Sequence, residues 1–428
     1  MPRDHPAPAS HTSEPTTPDA GATARRRPSL LILIAISAIG PLALNLFIPS
    51  MPGLQDTFGV PYATAQLTLT LYLIGLASAQ LIYGPISDRF GRRPTLIAGM
   101  WLFVAGSLAA AAAPTIELLI AARLAQAVGG AAGVVLARAI VRDLYARERA
   151  ASMIGYITMA WVLAPMIAPS IGGVLEHAFD WRAGFWLLSG LGVATALACQ
   201  IFLHETHHER SVGTGWRGLA AGYGWLLKRP RFDAYALTTG FNTSVFFSFI
   251  AGAPYIMVEI LGRSPLEYGI WFIVSSFGYM AGNGLAGRFS TRLGVDRMIG
   301  LGTLLSLSGA MAALGLFLAG AHAPWALFVP MVLVTLGNGL SIPNGIAGAV
   351  SVNPHLAGTA AGLAGFLQLG LGALTSQSVG YLQDVEPYAM IYVMTAGALI
   401  AVLVHRAALR IWPERAPEAP AQDSPSSS

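Results

Sequence analysis

The sequence predicts an all-α integral membrane protein, with twelve transmembrane helices in two pseudo-symmetric six-helix bundles. Three observations lead there. Of the 428 residues, 54% are hydrophobic and 11% charged, whereas a water-soluble domain carries about 25% charged residues. The charges gather in short intervals between apolar runs of about twenty residues, the length that crosses a hydrocarbon core as a helix. The densest early interval, Gly84-Pro85-Ile86-Ser87-Asp88-Arg89-Phe90-Gly91-Arg92-Arg93-Pro94, also has an echo in the second half of the chain.

Residues 1–27 are rich in Pro, Ala, Thr and Ser without an apolar period, which predicts a disordered cytoplasmic tail. Arg25, Arg26 and Arg27 precede a first apolar run over 30–49. That run is long and lacks a convincing cleavage site, so it reads as a spanning helix rather than a signal peptide. Further runs lie near 61–83, 94–113, 116–141, 151–175 and 183–203, completing a bundle over 28–203. The polar interval 204–230 reads as a cytoplasmic linker. A second bundle over 231–410 holds runs near 232–259, 265–287, 297–319, 323–348, 357–382 and 388–409, and 411–428 reads as a second disordered tail. Lipid tolerates no exposed irregular backbone, so the runs are helices. The ten-residue alternation of a membrane β-barrel is absent.

The arginines set the expected orientation. If the N-terminus lies inside, the outer loops carry Asp56, Glu117, Glu176, Asp180, Glu259 and Asp384, with Arg182 and Arg263 as their only bases. The opposite loops carry Arg89, Arg92, Arg93, Arg142, Arg229, Arg288 and Arg292 among others. This bias predicts a multi-pass protein of the cytoplasmic (inner) membrane with both termini in the cytoplasm. The net charge of +4 is therefore a membrane signal, and no nucleic acid is expected as partner. The single cysteine, Cys199, rules out a disulfide framework and a cysteine zinc site. His204, His207 and His208 fall in the linker, and no metal site is expected there. No nucleophile–base pair points to an enzyme.

The echo is Gly287-Arg288-Phe289-Ser290-Thr291-Arg292-Leu293-Gly294, which repeats the glycines seven apart and the arginine two before the second glycine. Six helices per half make this a parallel repeat. Within the fourth run, Arg123 costs roughly 2.5–3.5 kcal/mol on insertion scales if deep. It therefore either faces a cavity or partner or snorkels to the outer face. The fifth run carries Gly155, Pro165, Pro169, Gly172 and Gly173, a composition that bends a helix and lets neighbours approach. Polar groups inside apolar runs, Asn45, Gln126, Asn242, Asn338 and Gln368, are candidates for a substrate cavity, with Tyr72, Tyr156, Trp161 and Phe246 as aromatic neighbours. Such a lining suits neutral or weakly charged lipophilic solutes. No carboxylate falls at membrane depth, and Glu117 and Glu259 come closest.

These features together resemble the major facilitator superfamily. Gly40-Pro41-Leu42-Ala43-Leu44-Asn45, Gln66-Leu67-Thr68-Leu69-Thr70, Val141-Arg142-Asp143, Asp180-Trp181-Arg182 and Glu205-Thr206 are similar to segments of its Bcr/CflA-type drug exporters. The resemblance implies a gating latch from Gly84, Asp88, Arg89, Gly91, Arg92 and Arg93, echoed by Gly287, Arg292 and Gly294. It implies a part for Arg123 in proton movement, and an antiporter motif in the fifth helix with Ala168 where glycine is usual. It implies export of lipophilic compounds, of the phenicol or bicyclomycin kind, by a monomer in the bilayer with no cofactor beyond a proton gradient. The chain departs from the pattern at Asn45, where those exporters carry aspartate. An amide has no proton to exchange, so a single-metabolite exporter or facilitator without proton coupling is the alternative, unless Arg123 or Glu259 substitutes.

Overall fold

The computed structural model describes residues 28–145, 147–206, 215–353 and 356–411. Nearly all of both expected tails, His207 and His208, and the side chains of Gly155, Trp161 and Pro165 lie outside the described residues. Helices occupy all twelve predicted spans. In the first half they are α1 (Leu30–Leu46), α3 (Tyr62–Phe90), α4 (Arg92–Ala111), α5 (Ile116–Leu144), α6 (Arg147–Ala178) and α7 (Trp181–Phe202). In the second they are α9 (Pro230–Tyr255), α10 (Pro265–Leu293), α11 (Val295–Leu318), α12 (Pro324–Ser351), α13 (Ala357–Gln383) and α14 (Ala389–Ile411). Two short helices are additional: α2 (Met51–Phe58) and α8 (Gly215–Leu226). The latter lies within the expected linker and buries Leu226 against Phe232, Ala360 and Leu363 of the second half.

Among the described residues, ten helices are long and apolar enough to cross a membrane on composition alone. Neither α10 nor the described part of α6 is among them. These two pack on each other between the halves, where a helix faces protein rather than lipid and polar side chains are tolerated. The two halves use one packing scheme. In the first, α4 and α3 lie on α5, α4 on α7 and α1 on α6; in the second, α11 and α10 lie on α12, α11 on α14 and α9 on α13. Across the boundary α3 packs on α13 and α10 on α6.

The repeat seen in sequence is a repeated joint. Between α3 and α4, Gly91 has φ 103° and ψ 154°; between α10 and α11, Gly294 has φ 85° and ψ 157°. That backbone region is open essentially to glycine alone, and in each half it reverses the chain in one residue. At the opposite end of the molecule (the far end, as against this hairpin end) α5, α7 and α10 start with side-chain caps. Thr115 accepts from Leu118 N at 3.4 Å, Ser264 from Glu267 N at 3.1 Å and Asp180 from Arg182 N at 2.8 Å, each filling an orphan donor of a first turn.

Candidate substrate cavity and gate

A cavity of about 130 Å³ lies between the halves. From the first half α1 contributes Pro41, Leu44 and Asn45, and α3 contributes Leu76. The second half supplies the rest: Thr243, Phe246 and Phe247 from α9, Phe272, Ser275, Ser276 and Tyr279 from α10, Thr335, Asn338 and Ile342 from α12, and Gln368 and Leu369 from α13. Phe246 meets Phe247 and Phe272 edge-on, with ring centroids 6.0 and 6.3 Å apart. Among the described residues no charged side chain is on this wall. Its volume is below the roughly 300 Å³ at which ligand pockets begin, so a drug-sized molecule requires it to widen.

Four of the predicted cavity residues, Asn45, Phe246, Asn338 and Gln368, are on the wall. Asn242 is instead inside the second bundle, donating to Ser341 Oγ. Tyr72 and Gln126 are inside the first, with Tyr72 Oη donating to Gly40 O at 2.9 Å. Tyr156 is half exposed on α6. Ser275, Ser276 and Thr335 were not singled out by sequence. For the two serines the available signal is the lower hydropathy of α10, which leaves it outside the set of span-like helices; Thr335, on the apolar α12, carries no such signal.

Hydrogen bonds join the halves at the far end. Tyr62 Oη, at the start of α3, donates to Ala251 O, and its ring sits 5.0 Å from that of Tyr255. Gln66 Nε2 donates to Ser376 Oγ at 2.6 Å, Thr70 Oγ1 to Gln377 Oε1 at 2.8 Å, and Gln377 Nε2 back to Ala63 O at 3.0 Å. Ser170 Oγ donates to Gly269 O at 2.8 Å. Two glycines let α6 and α10 touch. A Cβ on Gly173 would meet Pro265 O, and one on Gly269 would fall 2.8 Å from the Ser170 Cα. Of the expected antiporter motif, Gly173 therefore faces the other half, while Gly172 abuts Leu46 O within its own. Together these contacts close the far end.

The latch residues at the hairpin end bond within the first half. Arg92 Nη1 pairs with Asp88 Oδ1 at 2.6 Å, and its Nε with Asp143 Oδ2 at 3.0 Å. Glu205 accepts from the backbone N–H of Arg92 and Arg93 at 3.0 and 3.1 Å, and Arg93 Nε donates to Leu203 O at 2.7 Å. The side chain of Asp88 is 44% exposed, and Arg89 and Arg292 are exposed as well. Asp143 and Glu205 complete the cluster. Both stood in quoted segments of the sequence, but distance along the chain hid their convergence on Arg92. A carboxylate on the first N–H groups of α4 is a charge-assisted cap with a favourable helix dipole. Glu205→Gln should therefore loosen the start of α4 by about 1 kcal/mol, read as a drop of a few degrees in Tm and faster proteolysis just after residue 206. An unchanged melting and cleavage profile would show that the cap contributes little.

Arg123 is fully buried inside the first half, which excludes the snorkelling alternative. Its Nη1 donates to Gln126 Oε1 at 2.6 Å and Ala43 O at 3.2 Å. The guanidinium lies 4.1 Å from the Tyr72 ring centroid and 4.7 Å from that of Phe47. Gln126 is held in turn by Ser107, at 2.8 Å. Nε and Nη2 have no hydrogen-bond partner, and among the described residues no carboxylate pairs with the group. Arg123 is thus a buried cation held by aromatic faces and amides, behind the cavity wall rather than on it.

Asn45 is 2% exposed. Its Nδ2 donates to Pro41 O at 2.8 Å, while Oδ1 has no partner. Glu259 sits in the wide turn Ile256–Ile260 that ends α9, exposed at the far end and off the cavity wall. Glu117 is exposed in the first turn of α5. The most enclosed of these carboxylates is Glu176, which the sequence placed in a loop and the structure places in the last turns of α6. The Ser50 hydroxyl bonds to it, Gly53 leaves room for Oε1, and Oε2 is buried without a partner. The described residues contain no cluster of three potential metal ligands.

Two like helix bundles around a central cavity, closed at one end, form the architecture of an alternating-access membrane carrier. The sequence model of the Major Facilitator Superfamily matches residues 33–376, and the chain belongs to that family, one of transporters rather than enzymes. Multidrug resistance protein D of Escherichia coli (strain K12) is 32% identical over 356 residues, 82% of this chain and 88% of that protein. A chloramphenicol resistance protein of Pseudomonas aeruginosa is 29% identical over 333 residues, 77% of this chain and 78% of that one. Among solved structures, the xylose transporter XylE of E. coli in a partially occluded inward-open conformation superposes with a TM-score of 0.71 at 13% identity. The match covers 90% of this chain and 97% of XylE, and it speaks for the fold.

Proposed function

We propose that the protein exports small, neutral, lipophilic compounds from the cytoplasm of a bacterial cell across its inner membrane, in exchange for protons. The observation that carries the reading is the cavity, walled by Phe246, Phe247 and Phe272 with no formal charge. Similarity to proteins named for multidrug and chloramphenicol resistance supports the same class of cargo. The arginine-rich hairpins support an orientation with the hairpin end in the cytoplasm. On that orientation the closed far end makes this an inward-facing conformation, with the latch at rest before the opposite state forms. The protein acts as a monomer, and its only energy source is the proton gradient.

The test is proton release from the purified protein in weakly buffered detergent on addition of chloramphenicol and a panel of neutral aromatic antibiotics. Saturable binding with release of protons is the expected result; binding without release leaves export by an uncoupled facilitator, the reading that Asn45 favours. Asn45→Asp restores a carboxylate to the wall and is expected to steepen the pH dependence of uptake into inverted vesicles. Equal pH dependence in both proteins would place the coupling group away from α1.

A further inference from the structure

We propose that the cavity prefers cargo that donates a hydrogen bond to the Asn45 amide oxygen, a neutral aromatic or lipophilic frame bearing a hydroxyl or N–H group, over anions and over frames that only accept. This rests on the cavity being the transport site. The argument is an inventory of the wall's hydrogens. The Ser275 hydroxyl is committed to Phe328 O, that of Ser276 to Phe272 O and that of Thr335 to Ser275 O. One hydrogen of the Asn45 N–H₂ is committed to Pro41 O and one of the Gln368 N–H₂ to Thr243 Oγ1. The hydroxyl donors that Ser275, Ser276 and Thr335 bring to the wall are thus consumed by the protein.

Its acceptors are not. The backbone fixes which way the Asn45 amide points, because only the nitrogen can donate to Pro41 O. Oδ1 is left buried and unpartnered on a residue of the cavity wall. Asn338 likewise carries a buried side-chain oxygen with no partner, though its amide can turn. Gln368, its nitrogen spent on Thr243, retains Oε1. The aromatic rings add negative π faces. An empty acceptor in a low-dielectric site is costly, and a ligand that supplies the missing hydrogen removes that cost. A ligand offering another lone pair or a carboxylate meets repulsion with no Lys or Arg on the wall to offset it. A site built to bond a donor rejects analogues lacking it far more sharply than a hydrophobic pocket discriminates size.

The experiment is equilibrium dialysis of the purified protein, against empty micelles as reference, with matched ligand sets on two frames. The first set is chloramphenicol, its N-methyl di-O-methyl derivative, which has no donor left, and its anionic hemisuccinate; the second is 4-nitrobenzyl alcohol, its methyl ether and 4-nitrobenzoate. The alcohols should bind about tenfold more tightly than their ethers, with no saturable binding of either anion. Asn45→Leu should bring the alcohol-to-ether ratio to within about threefold of unity. Gln368→Leu serves as the second variant should Asn45→Leu fold poorly. Ethers that bind as well as alcohols, or anions that bind more tightly, would overturn the selection rule and leave export of lipophilic compounds standing. A preference that persists in both variants would also overturn it, since the wall would not be its source. If no member of either set binds, the cavity is not the site for such compounds and both readings fall together.

Discussion

Gly173→Leu and Gly269→Leu are each expected to hold the far end of the molecule apart and to reduce transport at least tenfold. At both positions the added side chain meets backbone of the opposing bundle rather than a movable side chain, Pro265 O in one case and Ser170 Cα in the other. Backbone inside a packed helix pair cannot yield by rotamer change, and overpacking typically costs 1–3 kcal/mol. Here the cost falls almost wholly on the closed state, because separation of α6 from α10 relieves it. A penalty of that size on one of two states shifts their ratio by roughly 5- to 150-fold. A single thiol at Thr243→Cys, in a background lacking the buried Cys199, reports the shift. A membrane-impermeant reagent applied from the far side should label it faster in either variant. Unchanged labelling with normal transport would mean that the α6–α10 contact is not what closes that end.

Arg123→Met is expected to produce the opposite pairing of effects, a protein that melts at the same or higher temperature but transports poorly. The guanidinium is fully buried, two of its nitrogens are unpartnered, and no carboxylate answers it. Replacing a buried ionic group with a packed apolar side chain is often neutral or stabilising by 1–4 kcal/mol. Methionine fills the slot between Tyr72 and Phe47 with favourable sulfur–aromatic contact. Retention of such an expensive cation therefore points to use in transport. Arg123→Lys keeps the charge but loses the planar fork and ring stacking, and is expected to fall between native and Arg123→Met. Full efflux by Arg123→Met would reduce the residue to a packing element. A fall in Tm of more than a few degrees would show that its bonds to Gln126 and Ala43 outweigh its desolvation.

Much of the fold was legible because membrane spans announce themselves over twenty residues and the glycine spacing repeats. Gly91 and Gly294 could be paired from sequence, since a backbone shape nearly exclusive to glycine leaves a mark at the residue level. The site was legible only in part. Asn45 and Gln368 stood out as polar groups in apolar runs, and both reach the cavity. Tyr72, Gln126 and Asn242 stood out equally, yet inside their bundles Tyr72 bonds to Gly40 O, Gln126 to Arg123 and Ser107, and Asn242 to Ser341. Periodicity alone does not say which stripe of a helix buried on every side meets the other half. Glu176 was misplaced because a carboxylate near a span's end reads as solvent-facing. The elbow that carries Ser50 and Gly53 over it is a tertiary feature. α8 went unnoticed because its glycines mask a helix that is held by packing against the second half.

The cavity wall is unevenly shared: α9, α10, α12 and α13 supply most of it, while the ion-paired cluster of Asp88, Arg92, Asp143 and Glu205 and the caged Arg123 belong to the first half. The division is not complete, since Asn45 of α1 also lines the cavity and Gly269 of α10 takes part in closing the far end. On the proposed function, point changes at the cavity-facing residues of α9, α12 and α13 would alter what the protein accepts while leaving the α6–α10 contact and the Arg92 cluster in place, so new tolerances would be acquired one codon at a time.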